Sequence, residues 1–229
     1  MAATKLKTAF SVEKAHKTQL KLSEKIVFKD RIPRSIHFVA GIDVAYAKDV
    51  SIAAVAVLDF KSLKLEESQI AICKTRFPYI PTLLSFREIP PAVQAIQKLH
   101  TRPDVFLVDA QGYAHPYRCG FASHLGLVLR KPTIGVAKSK LIGTLEKSEQ
   151  DKDTVIIRHK GEIIGAQITT KPEHKPIYVS VGNMISLRTA IKIVKHCTLN
   201  SRIPEPVAMA HKIASVEKRK INIFADTNK

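Results

Sequence analysis

Two apolar segments of this chain each contain one acidic residue, and this pattern constrains the fold more than any other feature. Asp43 interrupts the segment FVAGIDVAY at residues 38–46, and Asp109 ends the segment VFLVD. Carboxylates are rarely buried without a partner, because an unpaired ionised carboxylate in apolar surroundings costs several kcal/mol or more. The fold must therefore bring a cation to these residues or leave them at polar strand ends.

The alternation of apolar segments and turns predicts an α/β fold, with helices layered on a mixed central sheet. Segments 38–46, 51–60 and 68–77 are predicted strands, and their short connections favour a meander. Between residues 104 and 137, the segments DVFLVD, RCGFASHLGLVLR and TIGVA have the order of a parallel βαβ unit. Further helices are predicted at 11–28, at about 90–100, after Ser186 and from 204–206, and further strands at 162–170 and 176–181.

The length and the charge fit one domain with a polyanionic partner. The 229 residues can bury one substantial core and contain no evident linker, so we predict one domain over residues 1–229, with a basic tail at about 217–229. Lys and Arg total 37 against 20 Asp and Glu, which gives a formal net charge of +17. This excess favours DNA or RNA, although an anionic membrane surface and plain solubility are alternatives.

Nothing in the sequence indicates a membrane segment or a secreted protein. The longest apolar stretch, IAAVAVL, is far shorter than a bilayer span, and the start MAATKLKTAF lacks the apolar core of a secretory signal. Cys73, Cys119 and Cys197 are odd in number and lie far apart, which favours reduced thiols. We therefore expect a cytoplasmic protein without membrane contacts.

The two aspartates predict a metal site if their strands are neighbours in the sheet. Two carboxylates that converge on one point repel each other, so that one takes up a proton or both share a metal. Glu88, arriving from the intervening loop, would complete an oxygen-rich site suited to Mg²⁺ or Mn²⁺. Two such ions ~3.5–4 Å apart can activate water and neutralise the leaving oxygen in phosphodiester hydrolysis.

Each of these acids also has a purely structural interpretation. Asp43 and Asp109 could be polar strand-end residues or helix caps. Ser85 and Glu88 have the spacing of a capping box, in which the glutamate only closes a helix N-terminus. Pro90 argues against that box, because it would fall at the fifth helical position and remove a backbone hydrogen bond. The pattern leaves both interpretations of Glu88 open.

A stiff apolar tip is predicted at residues 78–81. Pro78 and Pro81 restrict φ on either side of Tyr79 and Ile80. Proteins that distort nucleic acid insert such side chains between bases, at a cost of a few kcal/mol per unstacked step. A rigid turn packed on the protein's own core is the alternative.

Several other polar residues could contact a ligand. Gly112 and His115 lie in the loop DAQGYAHPYR, where glycine permits close backbone approach and catalytic groups are common. His115 could equally be a surface residue, and Lys138, which follows the strand TIGVA, could contact phosphate or be solvated. His211 faces inward by its spacing on the last helix, so it could be a hydrogen-bonded core histidine, and His124 has the same ambiguity.

Taken together, these segments resemble the endonuclease V family. The succession VAGID, PYIPTLLSFRE, PDVFLVDAQGYAHPYRCGFASHLG, PTIGVAKSKLIG, YVSVGN and IPEPVAMAH has the family's order and comparable spacing from about residue 38 to 213. The resemblance implies a three-layer ribonuclease H-like fold and a Mg²⁺-dependent endonuclease of DNA repair. The implied substrate is DNA, or RNA, that carries deaminated adenine (hypoxanthine), cleaved one nucleotide 3′ of the lesion. We expect the protein to be a monomer.

The resemblance also implies roles for single residues. Asp43, Glu88 and Asp109 match the metal ligands. Lys138 and His211 match positions linked to activity and are expected to be catalytic together with the three acids. Residues expected to contact nucleic acid at the wedge or around the pocket for the extruded base are Pro78, Tyr79, Ile80, Pro81, Arg87, Ala110, Gly112, His115 and His124.

Three positions depart from the family pattern. Thr82 and Ala110 stand where the family commonly has glycine, and Val181 stands where it has proline. Side chains added near the base pocket could tighten, shift or abolish hypoxanthine recognition. An inosine-specific endoribonuclease or a structure-specific nuclease of the same fold is therefore an alternative. A non-catalytic nucleic-acid-binding protein is a second alternative, against which the intact acidic trio argues.

Overall fold

The computed structural model describes residues 11–147, 154–171, 173–199 and 201–226, and the side chains only as far as residue 223. These residues form a nine-stranded mixed sheet with helices on both faces, which confirms the predicted α/β fold. The elements in chain order are α1 Val12–Ser23, β1 Phe38–Ala47, β2 Val50–Asp59, β3 Leu65–Lys74, α2 Leu84–Ile96, β4 Val105–Val108, α3 Phe121–Leu129, β5 Thr133–Ala137, β6 Thr144–Lys147, β7 Thr154–His159, β8 Glu162–Ile168, β9 Ile177–Asn183, α4 Leu187–His196 and α5 Glu205–Asp226.

The sheet has the strand order β3-β2-β1-β4-β5-β9-β8-β7-β6, so that β4 lies between β1 and β5. Strands β1, β2 and β3 pair antiparallel in sequence order, and the predicted meander is therefore confirmed. Strand β4 is parallel to both β1 and β5. Because α3 connects β4 to β5, the predicted βαβ unit is also confirmed.

Two hydrophobic clusters cover the two faces of the sheet. On one face, α4 and α5 pack on the strands through residues such as Val194 and Val207. On the other face, α2 and α3 do so through residues such as Ala92 and Leu125. Strand β4 is buried along its whole length, which explains why its sequence VFLV is continuously apolar rather than alternating. The sheet is thus the middle of three layers.

The register between β1 and β4 brings the two aspartates side by side. Ile42 pairs with Val108, and the Asp109 N–H donates a hydrogen bond of 3.0 Å to the Ile42 carbonyl oxygen. Asp43 is the next residue of β1 and pairs with Ala54 on the opposite side. The two strands are therefore neighbours, which is the condition on which the predicted metal site depends.

The start of α5 packs very close to β1 because residue 41 is glycine. A Cβ atom at Gly41 would lie 1.9 Å from the Pro206 carbonyl oxygen and 2.5 Å from the Val207 nitrogen. Both are backbone atoms, so any larger residue would push the helix away from the strand. This close approach lets His211, one helical turn further along α5, reach Asp43.

Helix α2 begins earlier than the sequence predicts. It spans Leu84–Ile96 rather than about 90–100, and it continues through Pro90 and Pro91. Glu88 therefore lies in the second turn of a helix, and the prediction that it arrives from a loop is wrong. The two prolines argued against a helix at these positions, because a proline inside a helix lacks the N–H of one backbone hydrogen bond.

Other boundaries also differ from the sequence prediction. Helix α1 ends at Ser23 instead of continuing to residue 28, and the basic tail predicted at 217–229 is part of α5 up to Asp226. The hairpin of β6 and β7 was not predicted, because all four residues of β6 are exposed and lack apolar alternation. None of the described helices is long and apolar enough to cross a membrane.

Candidate active site

Side chains from three elements meet beside the end of β4. One ligand atom from each of Asp43, Asp109 and His211 lies within 4.8 Å of the other two. His211 Nδ1 is 2.7 Å from Asp43 Oδ2, and Lys138 Nζ donates a short hydrogen bond to Asp109 Oδ2. The Asp43 and Asp109 side chains are only 13% and 11% exposed, so both carboxylates are largely withdrawn from water.

The interpretation of His211 as a core histidine is wrong. Val207, Ala210 and Ala214 form the buried face of α5, whereas the His211 side chain is 56% exposed. The ring lies at the border of that face, where it reaches Asp43. His211 is therefore part of the acidic site.

Glu88 approaches the same site from α2 and is 6% exposed. Tyr46 Oη donates a 2.9 Å hydrogen bond to Glu88 Oε1. Burial raises the pKa of Glu88 to about 8, and the charges of Asp43 and Asp109 add to this rise while the Tyr46 hydrogen bond opposes it. The Glu88 carboxylate thus interacts with both aspartates, although it is not a member of the 4.8 Å group.

The site holds more negative than positive charge. Burial raises the pKa of Asp109 too, the hydrogen bond from Lys138 opposes the rise, and the negative charge of Asp43 adds to it. Two aspartates and the carboxyl group of Glu88, which keeps its proton at neutral pH without a metal, therefore share one ammonium group and one imidazole with little exposure to water. Carboxylates in such surroundings are stabilised by a cation, and this set of oxygen and nitrogen donors fits a divalent metal ion.

The capping-box interpretation of Glu88 is wrong. The N-cap of α2 is Leu83, and Ser85 lies inside the first turn, where its hydroxyl pairs with His124 Nδ1 at 3.1 Å. Glu88 therefore does not close the helix N-terminus. Burial lowers the pKa of His124 to about 4, so its ring is neutral. The ring joins α3 to α2. His124 is not among the described residues that line the neighbouring cavity.

A cavity of about 240 Å³ opens beside Asp109 and Lys138. We call its two walls the wedge loop, residues 78–83, and the pocket loop, residues 109–120. The wedge loop contributes Tyr79, Ile80 and Thr82, and the pocket loop contributes Ala110, Gln111, His115 and Gly120. The cavity therefore connects the predicted stiff tip to the acidic site.

The tip of the wedge loop points away from the core. Tyr79 is 69% exposed, so its ring does not pack on the protein as the alternative of a docked turn would require. Ile80 lines the cavity, and its carbonyl oxygen accepts a 3.0 Å hydrogen bond from the Leu83 N–H. Pro78 and Pro81 flank the pair. The result is a closed turn that carries an exposed aromatic ring.

Gly112 and His115 shape the pocket loop in different ways. A Cβ atom at Gly112 would lie 2.2 Å from the Val181 carbonyl oxygen, so glycine is needed where the loop passes β9. His115 lines the cavity and is 4% exposed, so the interpretation as a surface residue is wrong. Burial lowers its pKa to about 4, and because Tyr117 N–H donates to Nδ1, the neutral ring carries its proton on Nε2.

Arg87 lies next to the acidic site and outside the lining of this cavity. Its guanidinium group stacks on the ring of Tyr46, 3.9 Å from the centroid. With Lys74 and Arg76 it also lines a second cavity of about 250 Å³. Arg87 therefore holds Tyr46 in the position from which it reaches Glu88.

Two residues of this region were missed by sequence reasoning. Tyr46 ends the same apolar segment that contains Asp43. Its hydroxyl group, a hydrogen-bond donor close in sequence to Asp43, was the signal that could have indicated a role in the acidic site. Gln19 is buried on α1 and contacts both cavity walls. A glutamine on an otherwise apolar helix stripe was the only hint of this role.

Comparison with known proteins identifies the family to which this chain belongs. The model of the endonuclease V family matches residues 20–212. The chain belongs to the endonuclease V family. Endonuclease V from Trichormus variabilis is 47% identical over 208 residues, which cover 90% of this chain and 94% of that protein.

Two solved endonuclease V structures match the fold. The protein from Streptomyces avermitilis is 32% identical with a TM-score of 0.85, over 93% of this chain and 95% of that one. The protein from Ciona intestinalis, in complex with a 24-mer DNA that contains an inosine followed by a ribo-adenosine, is 34% identical with a TM-score of 0.82, over 92% of this chain and 98% of that one. The predicted ribonuclease H-like fold is consistent with both.

Membership in the endonuclease V family confirms the prediction of an enzyme that hydrolyses phosphodiester bonds. The alternative of a non-catalytic binding protein therefore does not hold. As a member of an endonuclease family, the enzyme acts on nucleic acid, and the family implies a divalent metal, which the acidic site is suited to hold. The acidic site and the adjoining cavity together form the candidate active site.

Proposed function

We propose that this endonuclease recognises hypoxanthine in DNA and cleaves the strand one nucleotide 3′ of it in a Mg²⁺-dependent reaction. The observation that carries the proposal is the cavity between an exposed aromatic tip and an acidic site. A base taken out of the stack needs such a pocket beside the reacting phosphate. The Ciona intestinalis relative, which binds inosine-containing DNA, supports the choice of base.

Asp43, Glu88 and Asp109 are the proposed metal ligands. Carboxylate oxygens favour Mg²⁺, and Mn²⁺ accepts the same ligands. When bound, such an ion lowers the pKa of water and neutralises charge on the phosphate. Glu88 must give up its proton to act as a ligand, because burial raises its pKa to about 8 in the metal-free protein.

Lys138 and His211 have separate proposed roles beside these ligands. Lys138 lines the cavity and binds Asp109, so its ammonium group can contact phosphate and stabilise charge on the leaving 3′ oxygen. His211 holds the Asp43 carboxylate in one orientation through its Nδ1. Both roles place positive charge or a proton donor next to an acid.

The proposed base pocket combines a wedge with an uncharged wall. Tyr79 would enter the base stack beside the lesion, with Pro78 and Pro81 keeping its turn stiff. Ala110 and the neutral ring of His115 line the opposite wall, which suits an uncharged base.

Other expected nucleic-acid contacts act through the walls. His124 joins α3 to α2, and Gly112 holds the pocket loop against β9, where its N–H donates to Ser180 Oγ at 2.8 Å. Arg87 is available to a phosphate from the second cavity, which is lined by two further cations.

A second candidate function is cleavage of RNA beside inosine. The ligand of the Ciona intestinalis relative carries a ribose directly after the inosine, which favours this alternative. Thr82 and Ala110 both line the cavity, so the side chains in which this chain departs from the family pattern lie where the sugar and the base would enter.

We also propose that the protein acts as a monomer with one catalytic domain in the cytoplasm. The described residues of one chain supply the acidic site and both walls of the cavity, which is what a monomeric enzyme requires. Cys73, Cys119 and Cys197 are free thiols, as a reducing compartment allows.

The test uses three matched duplexes that carry deoxyinosine, inosine or unmodified adenosine at one position. With Mg²⁺, we expect a single cut one nucleotide 3′ of deoxyinosine and no cut of the adenosine strand. Faster cutting beside inosine would favour the RNA substrate. Equal cutting of all three duplexes would contradict recognition of the lesion.

A further inference from the structure

One buried amide joins the two walls of the cavity. Gln19 on α1 is 0% exposed, and its Nε2 donates to the Thr82 carbonyl oxygen at 2.9 Å and to the Cys119 carbonyl oxygen at 3.0 Å. Because both partners are acceptors, the nitrogen of the amide must face them. Thr82 belongs to the wedge loop and Cys119 to the pocket loop, so a single side chain from a third element spans the gap between them.

The burial of Gln19 is costly in itself. Its Oε1 has no hydrogen-bond partner among the described residues, although it is withdrawn from water. A buried acceptor without a partner lowers stability, and an apolar side chain of the same length would avoid that loss only by withdrawing the donor from the Thr82 and Cys119 carbonyl oxygens. The glutamine is therefore better explained by what its nitrogen joins than by packing.

Thr82 needs to be held from outside because its backbone is strained. Its φ is +72°, in the left-handed region that a β-branched residue rarely adopts. A second side chain of α1 reaches the same residue, since His16 Nε2 is 2.9 Å from Thr82 Oγ1. The His16 ring also stacks on Tyr117 of the pocket loop, with centroids 3.8 Å apart. Helix α1 thus contacts each wall twice.

We propose that Gln19 is a positioning residue for lesion recognition, which sets the separation of the wedge loop and the pocket loop, with His16 as its support. The inference deepens the proposed function and depends on it. With the amide in place, the gap fits an extruded base while Tyr79 stands at its entrance. Without it, the interaction of His115 with the Thr82 backbone is left to join the walls, so the strained Thr82 can relax, and hypoxanthine and adenine are distinguished less well.

The primary variant is Gln19→Met, which keeps the length of the side chain but donates no hydrogen bond. Binding to duplexes with deoxyinosine or adenosine is measured in metal-free buffer, well below the melting temperature, and cleavage rates are measured with Mg²⁺. We expect the ratio of the two dissociation constants to fall roughly tenfold, with a raised KM and a smaller change in kcat. Ile193→Val in α4 is the control for a general loss of stability, and it should leave the ratio unchanged.

Coupling to the wedge separates positioning from a merely structural role. In a Tyr79→Ala background, Gln19→Met should change the ratio by less than about twofold, because the wedge through which it acts is already lost. If Gln19→Met does not fold, His16→Phe provides the same test, since it keeps the stacking on Tyr117 and loses only the bond to Thr82. An unchanged ratio in a folded variant, or an equal loss in Ile193→Val, overturns the inference. A wild-type protein that does not discriminate at all refutes the proposed function instead.

Discussion

The acidic site and the cavity beside it are built from different kinds of structure. Asp43 and Asp109 belong to paired strands, whose register holds the carboxylates side by side. The cavity walls are two loops, and a buried amide from α1 holds them together. The register of two paired strands can change only by whole residues, whereas the conformation of a loop can change gradually. The chemistry of this enzyme is therefore fixed more firmly than its choice of substrate.

The departures from the family pattern fall on the second region. Thr82 and Ala110 line the cavity, and Val181 accepts a hydrogen bond from the Tyr113 N–H of the pocket loop. The acids of the first region match the family pattern. We therefore expect variants of the first region to abolish cleavage and variants of the second to alter specificity.

The largest effect is expected at the acidic site. Asp43→Ala or Asp109→Ala should lower the cleavage rate by at least about a thousandfold, because a lost metal ligand removes several kcal/mol of transition-state stabilisation. Binding in metal-free buffer should persist or improve, since one charge that repels phosphate is gone. Glu66→Ala, which removes an exposed acid of β3, is the matched control. Substantial residual cutting by either aspartate variant contradicts the metal assignment.

The second effect is expected at the wedge. Tyr79→Ala should reduce the preference for the lesion roughly tenfold or more, because stacking of an aromatic ring on a base contributes about 1–3 kcal/mol. The free energy of unfolding should change by less than about 0.5 kcal/mol, because the ring is exposed. A large loss of stability with normal specificity would show that the tip is only a structural turn.

The third effect concerns the stability of the metal-free protein. Burial raises the pKa of Glu88 from 4.5 to about 8, so the folded state binds this proton more tightly than the unfolded state. The resulting stabilisation is complete below pH 4.5 and is lost as the pH rises from there through about 8. Glu88→Gln, which cannot lose a proton, should weaken this dependence in thermal unfolding between pH 5 and pH 9. Equal curves for both proteins would show that Glu88 is not a buried neutral acid.

The smallest effect is expected where α2 meets α3. Ser85→Ala removes the hydroxyl that pairs with His124 Nδ1 and should cost about 1–2 kcal/mol of unfolding free energy, because a buried polar group loses its partner. Well below the melting temperature the preference for the lesion should change less than in Tyr79→Ala, since Ser85 and His124 act only through the cavity wall and the wedge is unaltered. A loss of preference without a loss of stability would place this contact in the recognition of the base.

The parts of the fold that depend on local pattern were predictable. The meander, the βαβ unit and the helix after Ser186 follow from apolar spacing and one N-cap, and Ser186 does accept a hydrogen bond from Thr189 N–H. The meeting of Asp43 and Asp109 was predicted on the condition that their strands are neighbours, and the pairing of β1 with β4 meets that condition. The hairpin of β6 and β7 has no apolar alternation and was therefore not predicted. The start of α2 was missed because its two prolines are unfavourable inside a helix.

The remaining parts of the site depend on contacts between distant segments. Gln19 meets Thr82 across 63 residues and Cys119 across 100 residues, which no local spacing indicates. His211 reaches Asp43 across 168 residues where α5 packs closely on Gly41. The resemblance to the family supplied His211 as a single residue but not Gln19, and the packing explains how each of them reaches the site.

Crystals of the protein grown with Mn²⁺ offer the most direct test, because anomalous scattering locates the bound ion independently of any activity. We expect a peak in contact with carboxylate oxygens of both Asp43 and Asp109, on the side that faces Glu88. A peak at a different place, or none at saturating Mn²⁺, would contradict the claim that these acids form the metal centre.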